Sequence, residues 1–274
     1  MNHEELDFYI KKGFFSPIKV LKSEEANQYR TSIEKIESKH GGSLLPEYRS
    51  KSHLLFKWLD NIIRDPRVLD PIAKILGPNI LCWNTVFWIK DTRSKNFVSW
   101  HQDKHYWGLD TEDLVSAWLA LSPASIESGC MKVIPGSHQR GSFKHLDTNE
   151  TNNMLTRGQY IYEGIDEDRA EYMNLKTGEM SLHNYGLVHS SGINESSDRR
   201  IGVSMHFIRP DCKQTLSNWD TAALVRGEDN FNNFSHTPIP QCDFDDSIMD
   251  FFIKATKTNK EILYKGSKEQ NKKL

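Results

Sequence analysis

Residues 80–90, ILCWNTVFWIK, decide the fold class, because here the sequence changes from helical to strand-like patterns. The stretch is rich in β-branched and aromatic residues, which favour strands. Similar runs follow it, separated by polar turns, at residues 97–102, 115–122, 131–137, 179–192 and 199–210. Several short strands without long intervening helices predict a sandwich, jelly roll or barrel rather than a doubly wound sheet.

Upstream of this stretch the patterns are helical. Residues 3–12 have helical periodicity, and Ser23 stands where an N-cap would open a helix over SEEANQYRTSIEKIESK. Two further helical segments, SHLLFKWLDNII and RVLDPIAKILG, follow, the second closed by Gly77. The first 77 residues are therefore predicted to be mostly α-helical.

Composition favours a globular protein with a small-molecule partner. The chain has 274 residues, of which 37% are hydrophobic, enough for a substantial core. Its 35 basic and 37 acidic residues nearly cancel, so nothing indicates nucleic-acid binding. No linker divides the chain, and we expect a single domain: a helical flank (1–77), a strand-rich core (78–210) and a C-terminal extension (211–274). The polar segment 139–175 is predicted to be a long excursion between strands, a typical place for a lid or a substrate-binding loop.

The cysteines and the N-terminus bear on the compartment. Four cysteines are scattered without CxxC spacing, which favours a reducing environment. No segment has the uninterrupted apolar stretch of a secretory signal or a membrane span. We expect a soluble, cytoplasmic protein without a membrane partner and with a frayed tail over KGSKEQNKKL. The sequence does not indicate an oligomeric state.

The stretch SWHQDKHYWG, residues 99–108, is a candidate metal site. In an extended strand His101 and Asp103 point to the same face, and His189 on a later strand could supply a third ligand. Two imidazoles and a carboxylate leave three octahedral positions free, which suits Fe(II) that must bind O2 and a substrate better than structural zinc. HxD also occurs by chance among 11 histidines, and His183 is the alternative third ligand.

Several motifs in order resemble the phytanoyl-CoA dioxygenase family of Fe(II)/2-oxoglutarate oxygenases. They are WHQDKHYWGL, AWLAL, ESGCMKVIPGSH and LVHSSGINESSDRR, within residues 80–210, and GFFSPIKVLKSEEANQYR resembles the family's opening strand and helix. The resemblance implies a mainly β fold with flanking helices, a double-stranded β-helix or cupin-like jelly roll. It also favours His189 over His183, because the HSSGIN turn after His189 is the part that resembles the family.

Carried over residue by residue, the resemblance implies the site. The implied iron ligands are His101, Asp103 and His189. Arg200 is implied to pair with the distal carboxylate of 2-oxoglutarate, since a guanidinium forms two parallel hydrogen bonds that lysine cannot copy. The other residues implied to lie beside this cosubstrate are Ser191, Trp118 and Asn84. Arg199 is expected to point to the opposite face, as a solvated strand residue.

The expected reaction is hydroxylation of a small polar metabolite of amino acid, zwitterion or aminophosphonate type, with release of succinate and CO2. The cofactors are then Fe(II), 2-oxoglutarate and O2. Asp103 favours hydroxylation over halogenation, because related halogenases carry a small residue there. Candidate substrate-binding residues are Lys104, His105, Tyr106, Trp107 and Asn184. The alternatives are a cupin-like metal protein that does not use 2-oxoglutarate and a non-catalytic recognition module.

Overall fold

The computed structural model describes residues 1–148 and 150–266, and within them most strands belong to two sheets that are antiparallel except for one edge pair. The strands are β1 (Phe14–Lys19), β2 (Ile80–Lys90), β3 (Val98–His101), β4 (Val115–Ala120), β5 (Met131–Val133), β6 (His145–Leu146), β7 (Tyr160–Ile161), β8 (Glu171–Tyr172), β9 (Glu179–Asn184), β10 (His189–Ser191), β11 (Arg200–Ile208), β12 (Thr221–Arg226) and β13 (Ser235–His236). The larger sheet has the order β1-β9-β4-β11-β2-β12-β13 and the smaller sheet β3-β10-β5-β8. This is the expected jelly roll.

The central strand of the larger sheet, β11, separates the hydrophobic core from the polar interior. It pairs with β2 on one side and β4 on the other, and every residue in it is buried. Ile201, Val203 and Met205 belong to the main apolar cluster, which also includes helical residues. Because side chains alternate along a strand, Arg200 and Ser204 lie on the opposite face. The interior between the sheets is therefore where a polar site can form.

The helices pack against the outer face of the larger sheet. They are α1 (His3–Lys12), α2 (Ser23–Lys39), α3 (Lys57–Ile63), α4 (Pro66–Leu76) and α5 (Met249–Tyr264). The predicted N-terminal helices are present, but the segment 52–63 is divided into a 3₁₀ turn and α3. Ser23 is the first helical residue rather than the cap, because Lys22 takes the N-cap position and its N–H donates to Glu25.

The larger sheet extends beyond the predicted core of residues 78–210. β1 joins it from the N-terminal side, and β12 and β13 join it from the C-terminal side. In the same C-terminal region, α5 contributes Phe252 and Ala255 to the main apolar cluster. The excursion 139–175 also has structure, because β6 pairs with β7, and β8 joins the smaller sheet.

Arg199 is not the solvated residue that we expected. It points away from the interior, but its guanidinium donates two hydrogen bonds to Glu37 at the end of α2, at 2.7 and 2.9 Å, and a third to Asp91. Glu37 is buried, so its carboxylate needs a cationic partner. Arg199 therefore fastens α2 to the sheet.

Two features of the described residues relate to the expected cellular compartment: the state of the cysteines and the character of the helices. Cys82, Cys130 and Cys212 are buried free thiols, and Cys242 is an exposed one. Among residues 1–148 and 150–266, no helix has the length and apolar character needed to cross a bilayer. The predicted frayed tail lies outside the described residues from position 267 onward.

Candidate active site

A cross-strand pair brings two histidines together between the sheets. β3 and β10 are antiparallel neighbours, and their register places His189 directly opposite His101. Side chains at such paired positions are close neighbours on one face of a sheet, and the centroids of the two imidazole rings are 4.1 Å apart. The backbone ladder therefore positions the pair.

Asp103 joins the two histidines although the strand is shorter than expected. β3 ends at His101, and a 3₁₀ turn begins at Asp103. Between them Gln102 keeps extended backbone angles (φ −119°, ψ 134°), so the alternation of side chains continues for two more residues. Gln102 points away, and its amide donates to the Gly186 carbonyl at 2.7 Å.

Backbone carbonyls orient both imidazoles. Nδ1 of His101 lies 2.9 Å from the Ser99 carbonyl, and Nδ1 of His189 lies 3.0 Å from the Leu187 carbonyl. A carbonyl can only accept, so each Nδ1 carries a proton, and in the neutral imidazole Nε2 then has a lone pair for a metal. Burial holds the pKa of His189 well below its usual 6.5, which favours the neutral, metal-binding form.

The three side chains fit a divalent metal ion. One potential ligand atom from each of His101, Asp103 and His189 lies within 4.8 Å of the others, and all three residues are buried. Burial tends to raise the pKa of Asp103, but His189 and His101 outweigh it and hold that pKa well below 3.8. Two imidazoles and one carboxylate form the facial set typical of non-heme Fe(II) sites.

His183, the alternative third ligand, lies beside this group. Its Nε2 is 3.8 Å from Oδ2 of Asp103, and its ring centroid is 4.8 Å from that of His189. The convergent group of potential ligand atoms contains His189 and not His183. His183 therefore lies next to Oδ2 of the Asp103 carboxylate.

A small pocket of about 60 Å³ adjoins the three side chains and contains Arg200. Arg200 is 3% exposed, and its Nη1 donates to the Gly129 carbonyl at 2.7 Å. Its buried Nε has no hydrogen-bond partner among the described residues. Burial lowers the pKa of Arg200 to about 10, so the guanidinium remains charged at neutral pH. A buried donor on a cation without a partner in the protein fits a carboxylate as its acceptor.

Trp118 and Ser191 also line this small pocket. The Trp118 ring lies 5.4 Å from the Arg200 guanidinium. A Cβ atom at Gly202 would lie 2.0 Å from that ring, so glycine is required for the ring to pack against β11. Sequence reasoning placed Trp118, Ser191 and Arg200 together, and they do share one pocket.

Lys90 is a pocket neighbour that the sequence analysis missed. It is fully buried, and its Nζ donates to Ser191 Oγ at 2.8 Å and to the Gly192 carbonyl. Burial, followed by the nearby Arg200, lowers the pKa of Lys90 to about 6. In the sequence, the one indication of this role was that Lys90 ends a predicted strand that is mostly apolar.

A larger cavity of about 600 Å³ opens from His101 and Asp103. Tyr106 and Trp107 line it, as expected for substrate-binding residues. Asn84 lines this cavity rather than the small pocket, and its Oδ1 accepts hydrogen bonds from Ser50 Oγ and Lys51 N. The volume is typical of a small-molecule site.

Three of the expected substrate-binding residues lie away from both cavities. Lys104 forms an ion pair with Glu112 at 3.0 Å, and the Asn184 amide donates to the Glu112 carbonyl. His105 stacks on His145 with ring centroids 4.5 Å apart. The 3₁₀ turn that begins at Asp103 ends the strand alternation, so Lys104 and His105 do not follow His101 into the interior. Asn184 is instead the last residue of β9.

His206 was not among the residues selected from the sequence, yet it lines both cavities. Its ring nitrogens contact Ser116 Oγ at 2.9 Å and Ser204 Oγ at 3.1 Å. Burial lowers the pKa of His206 to about 3, so it is neutral. Strand alternation could have indicated His206 in the sequence, because it lies six residues after Arg200 and therefore on the same face of β11.

A jelly roll with two buried imidazoles, one carboxylate and a pocket ending at a buried arginine defines the class of non-heme iron oxygenases that use 2-oxoglutarate. Residues 10–202 match the family model described as phytanoyl-CoA dioxygenase, so the chain belongs to that family. The family, the enzyme class and its cofactors, Fe(II), 2-oxoglutarate and O2, are confirmed as predicted.

Relatives support this assignment. The chain is 27% identical over 233 residues to the peroxisomal phytanoyl-CoA dioxygenase of Homo sapiens, covering 76% of this chain and 69% of that protein. It is 29% identical over 150 residues to a probable alpha-ketoglutarate-dependent hypophosphite dioxygenase of Stutzerimonas stutzeri, covering 54% of this chain and only 52% of that protein. Among solved structures, the apo non-heme monooxygenase ThoJ has a TM-score of 0.84 and 30% identity, covering 94% of this chain and 97% of ThoJ.

Proposed function

We propose that His101, Asp103 and His189 hold the Fe(II) ion. The proposal is carried by one observation, the buried convergence of their potential ligand atoms within 4.8 Å. The bound iron and 2-oxoglutarate would supply the oxidising power, while the chain supplies position and exclusion of water. Ser99 and Leu187 keep both imidazoles in the ligating tautomer through their carbonyls.

We propose that the small pocket binds 2-oxoglutarate. Arg200 receives the distal carboxylate through its unpartnered Nε, and Ser191 adds a hydroxyl. Trp118 forms an apolar wall that fixes the guanidinium. Asn84, expected beside the cosubstrate, lines the substrate cavity instead and is proposed to contact substrate there, with Tyr106 and Trp107.

The reaction that we propose is hydroxylation of a small polar metabolite, of amino acid, zwitterion or aminophosphonate type, with release of succinate and CO2. Support comes from the cavity wall, where the amides of Asn84, Asn152 and Gln159 supply hydrogen-bonding groups. A carboxylate at Asp103 occupies the position that a halide would need, which favours hydroxylation over halogenation.

The first test is anaerobic titration of the protein with Fe(II) and 2-oxoglutarate. We expect a weak charge-transfer band near the red end of the visible spectrum, because a chelated 2-oxoglutarate absorbs there. His189→Ala should abolish the band. Arg200→Lys should leave the band but weaken 2-oxoglutarate binding about tenfold or more, the cost of a lost bidentate pair being roughly 1.5–3 kcal/mol.

His236→Ala is the matched control, since His236 is partly exposed and pairs with Asp229. It should leave the band unchanged. Iron binding without the band would instead contradict the proposed binding of 2-oxoglutarate in the small pocket. A screen of metabolites for succinate release, with the hydroxylated product identified by mass, then selects the substrate.

We also propose that residues 1–274 form a single domain working in the cytoplasm. The single domain is supported by α5, whose Phe252 packs into the same apolar cluster as β11 and the N-terminal helices. The compartment is supported by the free thiols, which persist where disulfides are not formed.

A further inference from the structure

One wall of the large cavity is lined by cationic side chains. Arg49 follows a 3₁₀ turn, Lys257 and Lys260 lie on α5, and all three line the cavity. Within the described ranges 1–148 and 150–266, none of the three forms an ion pair with a carboxylate. Glu47 is the acidic residue on this side of the cavity, and its side chain is exposed.

Buried hydrogen-bond donors on the same wall are also unsatisfied. Asn259 is 1% exposed, and its side-chain amide lies 3.0 Å from Ser50 Oγ. Its Nδ2 has no hydrogen-bond partner among the described residues, and neither has Nε of Arg49. Buried donors without acceptors are costly, so a wall that gathers two of them beside two lysines fits an anionic acceptor.

Nearer the candidate iron ligands, the cavity wall is apolar rather than cationic. Trp88 and Trp107 line both the small pocket and the large cavity, so apolar surface adjoins the place where a substrate would react. A molecule that filled the cavity would rest an apolar body against the tryptophans. Its remote end would then meet the cationic wall.

We propose that Arg49, Lys257, Asn259 and Lys260 form an anion subsite that binds an acidic group of the substrate, a carboxylate or a phosphonate, remote from the oxidised carbon. This inference rests on the proposed function and specifies that the polar substrate carries an acidic group at a distance from an apolar part. The match to the family model ends at residue 202, whereas α5 begins at Met249. The subsite is therefore built in part from a region that the family model does not describe.

The test compares anionic and neutral probes of equal chain length. Octanoate, octylphosphonate and octanol are titrated into full-length protein saturated anaerobically with Fe(II) and 2-oxoglutarate, so that Arg200 is already occupied. Tryptophan fluorescence reports binding, because Trp88 and Trp107 line the cavity. We expect both anions to bind about tenfold more tightly than octanol, since charge-assisted hydrogen bonds are about twice as strong as neutral ones.

Variants locate the charge that is responsible. The double variant Lys257→Met/Lys260→Met should remove most of the preference for anions and leave octanol binding unchanged. Lys254→Met is the matched control on the same helix, because its Nζ lies over the Trp219 ring and it does not line the cavity. It should keep the preference.

Equal binding of all three probes, no binding of the anions, or an equal loss in Lys254→Met would each overturn the subsite. A difference between octanoate and octylphosphonate identifies which acid the wall prefers. The charge-transfer band in the same samples separates the two levels of inference. If the band is absent, the proposed function fails; if it is present without anion preference, only the subsite fails.

Discussion

Lys90 illustrates how much one residue can depend on its surroundings. Its ammonium group is buried beside the Arg200 guanidinium. Burial and the neighbouring positive charge both disfavour the charged form of Lys90, so its pKa falls from 10.5 to about 6. A dicarboxylate bound at Arg200 would bring negative charge next to Nζ and raise that pKa again. Binding of 2-oxoglutarate should therefore be coupled to uptake of a proton by Lys90.

The coupling predicts a pH dependence. In the free protein Lys90 is largely neutral above pH 6, so affinity for 2-oxoglutarate should fall as the pH rises from about 6 to 8, by at most about tenfold per pH unit. Calorimetry in two buffers of different protonation enthalpy at pH 7.5 should detect the proton taken up. Lys90→Met should lose both the uptake and the slope.

Lys132→Met serves as the control, because Lys132 pairs with Glu167 at the surface. It should behave as the unaltered protein does. Proton uptake that persisted in Lys90→Met would contradict the assignment to Lys90.

For single residues, the sequence predicts a functional role where the residue belongs to a short, recognisable motif. His101 and Asp103 are two apart on a strand, and the Arg200 position follows from the resemblance. Lys90 and His206 could not be selected in this way, because their roles depend on which strands become neighbours. Lys104 and His105 were expected in the cavity because they follow the end of the strand that carries His101, but the 3₁₀ turn that begins at Asp103 directs their side chains elsewhere.

At the scale of elements, Arg199 and Glu37 join α2 to the larger sheet. Arg199→Met should lower the free energy of unfolding by about 2 kcal/mol or more, because the buried Glu37 carboxylate loses its partner. Urea unfolding followed by circular dichroism measures the change. The Arg199–Glu37 ion pair differs from ion pairs at the surface because Glu37 is buried.

Arg226→Met provides the comparison, since its partner Asp70 is largely exposed. Exposed pairs contribute about 0–1 kcal/mol, so this variant should remain close to the unaltered protein. Equal effects of the two substitutions would show that Arg199 has no special role in holding α2.

Elements were predicted where periodicity is strong and missed where it is weak. The run 80–90 and the helix at 23–39 have clear patterns, and both are present. β12, Thr221–Arg226, is short and contains two alanines, so its strand propensity is low, and its pairing with β2 and β13 makes it a strand. β13 is just two residues long and depends wholly on β12.

At the scale of the whole molecule, two segments far apart in sequence meet at the large cavity. Residues 151–156 and α5 both line it, and Tyr264 Oη donates to the Thr156 carbonyl at 3.3 Å. Arg157 Nη1 adds a longer contact to the Lys265 carbonyl. No local pattern could predict this meeting, because it follows from the packing of α5 on the completed sheet.

Tyr264→Ala should loosen this connection. We expect faster amide hydrogen exchange over residues 151–159 and more succinate released without product, since water can then reach the site. Mass spectrometry of peptides measures the first effect and coupled product assays the second. Tyr162→Ala, at an exposed tyrosine, is the control; unchanged exchange in Tyr264→Ala would refute the connection.

The register that sets His101 opposite His189 also bears on stability. With iron bound as proposed, a single ion would join two strands that belong to different parts of the chain, and it would do so only in the folded state. Metal affinity would then add to the free energy of unfolding, by about 2.7 kcal/mol at a free metal concentration a hundred times the Kd. Chelation should lower the melting temperature, and Ni(II), which does not turn over, should restore it as well as Fe(II) does.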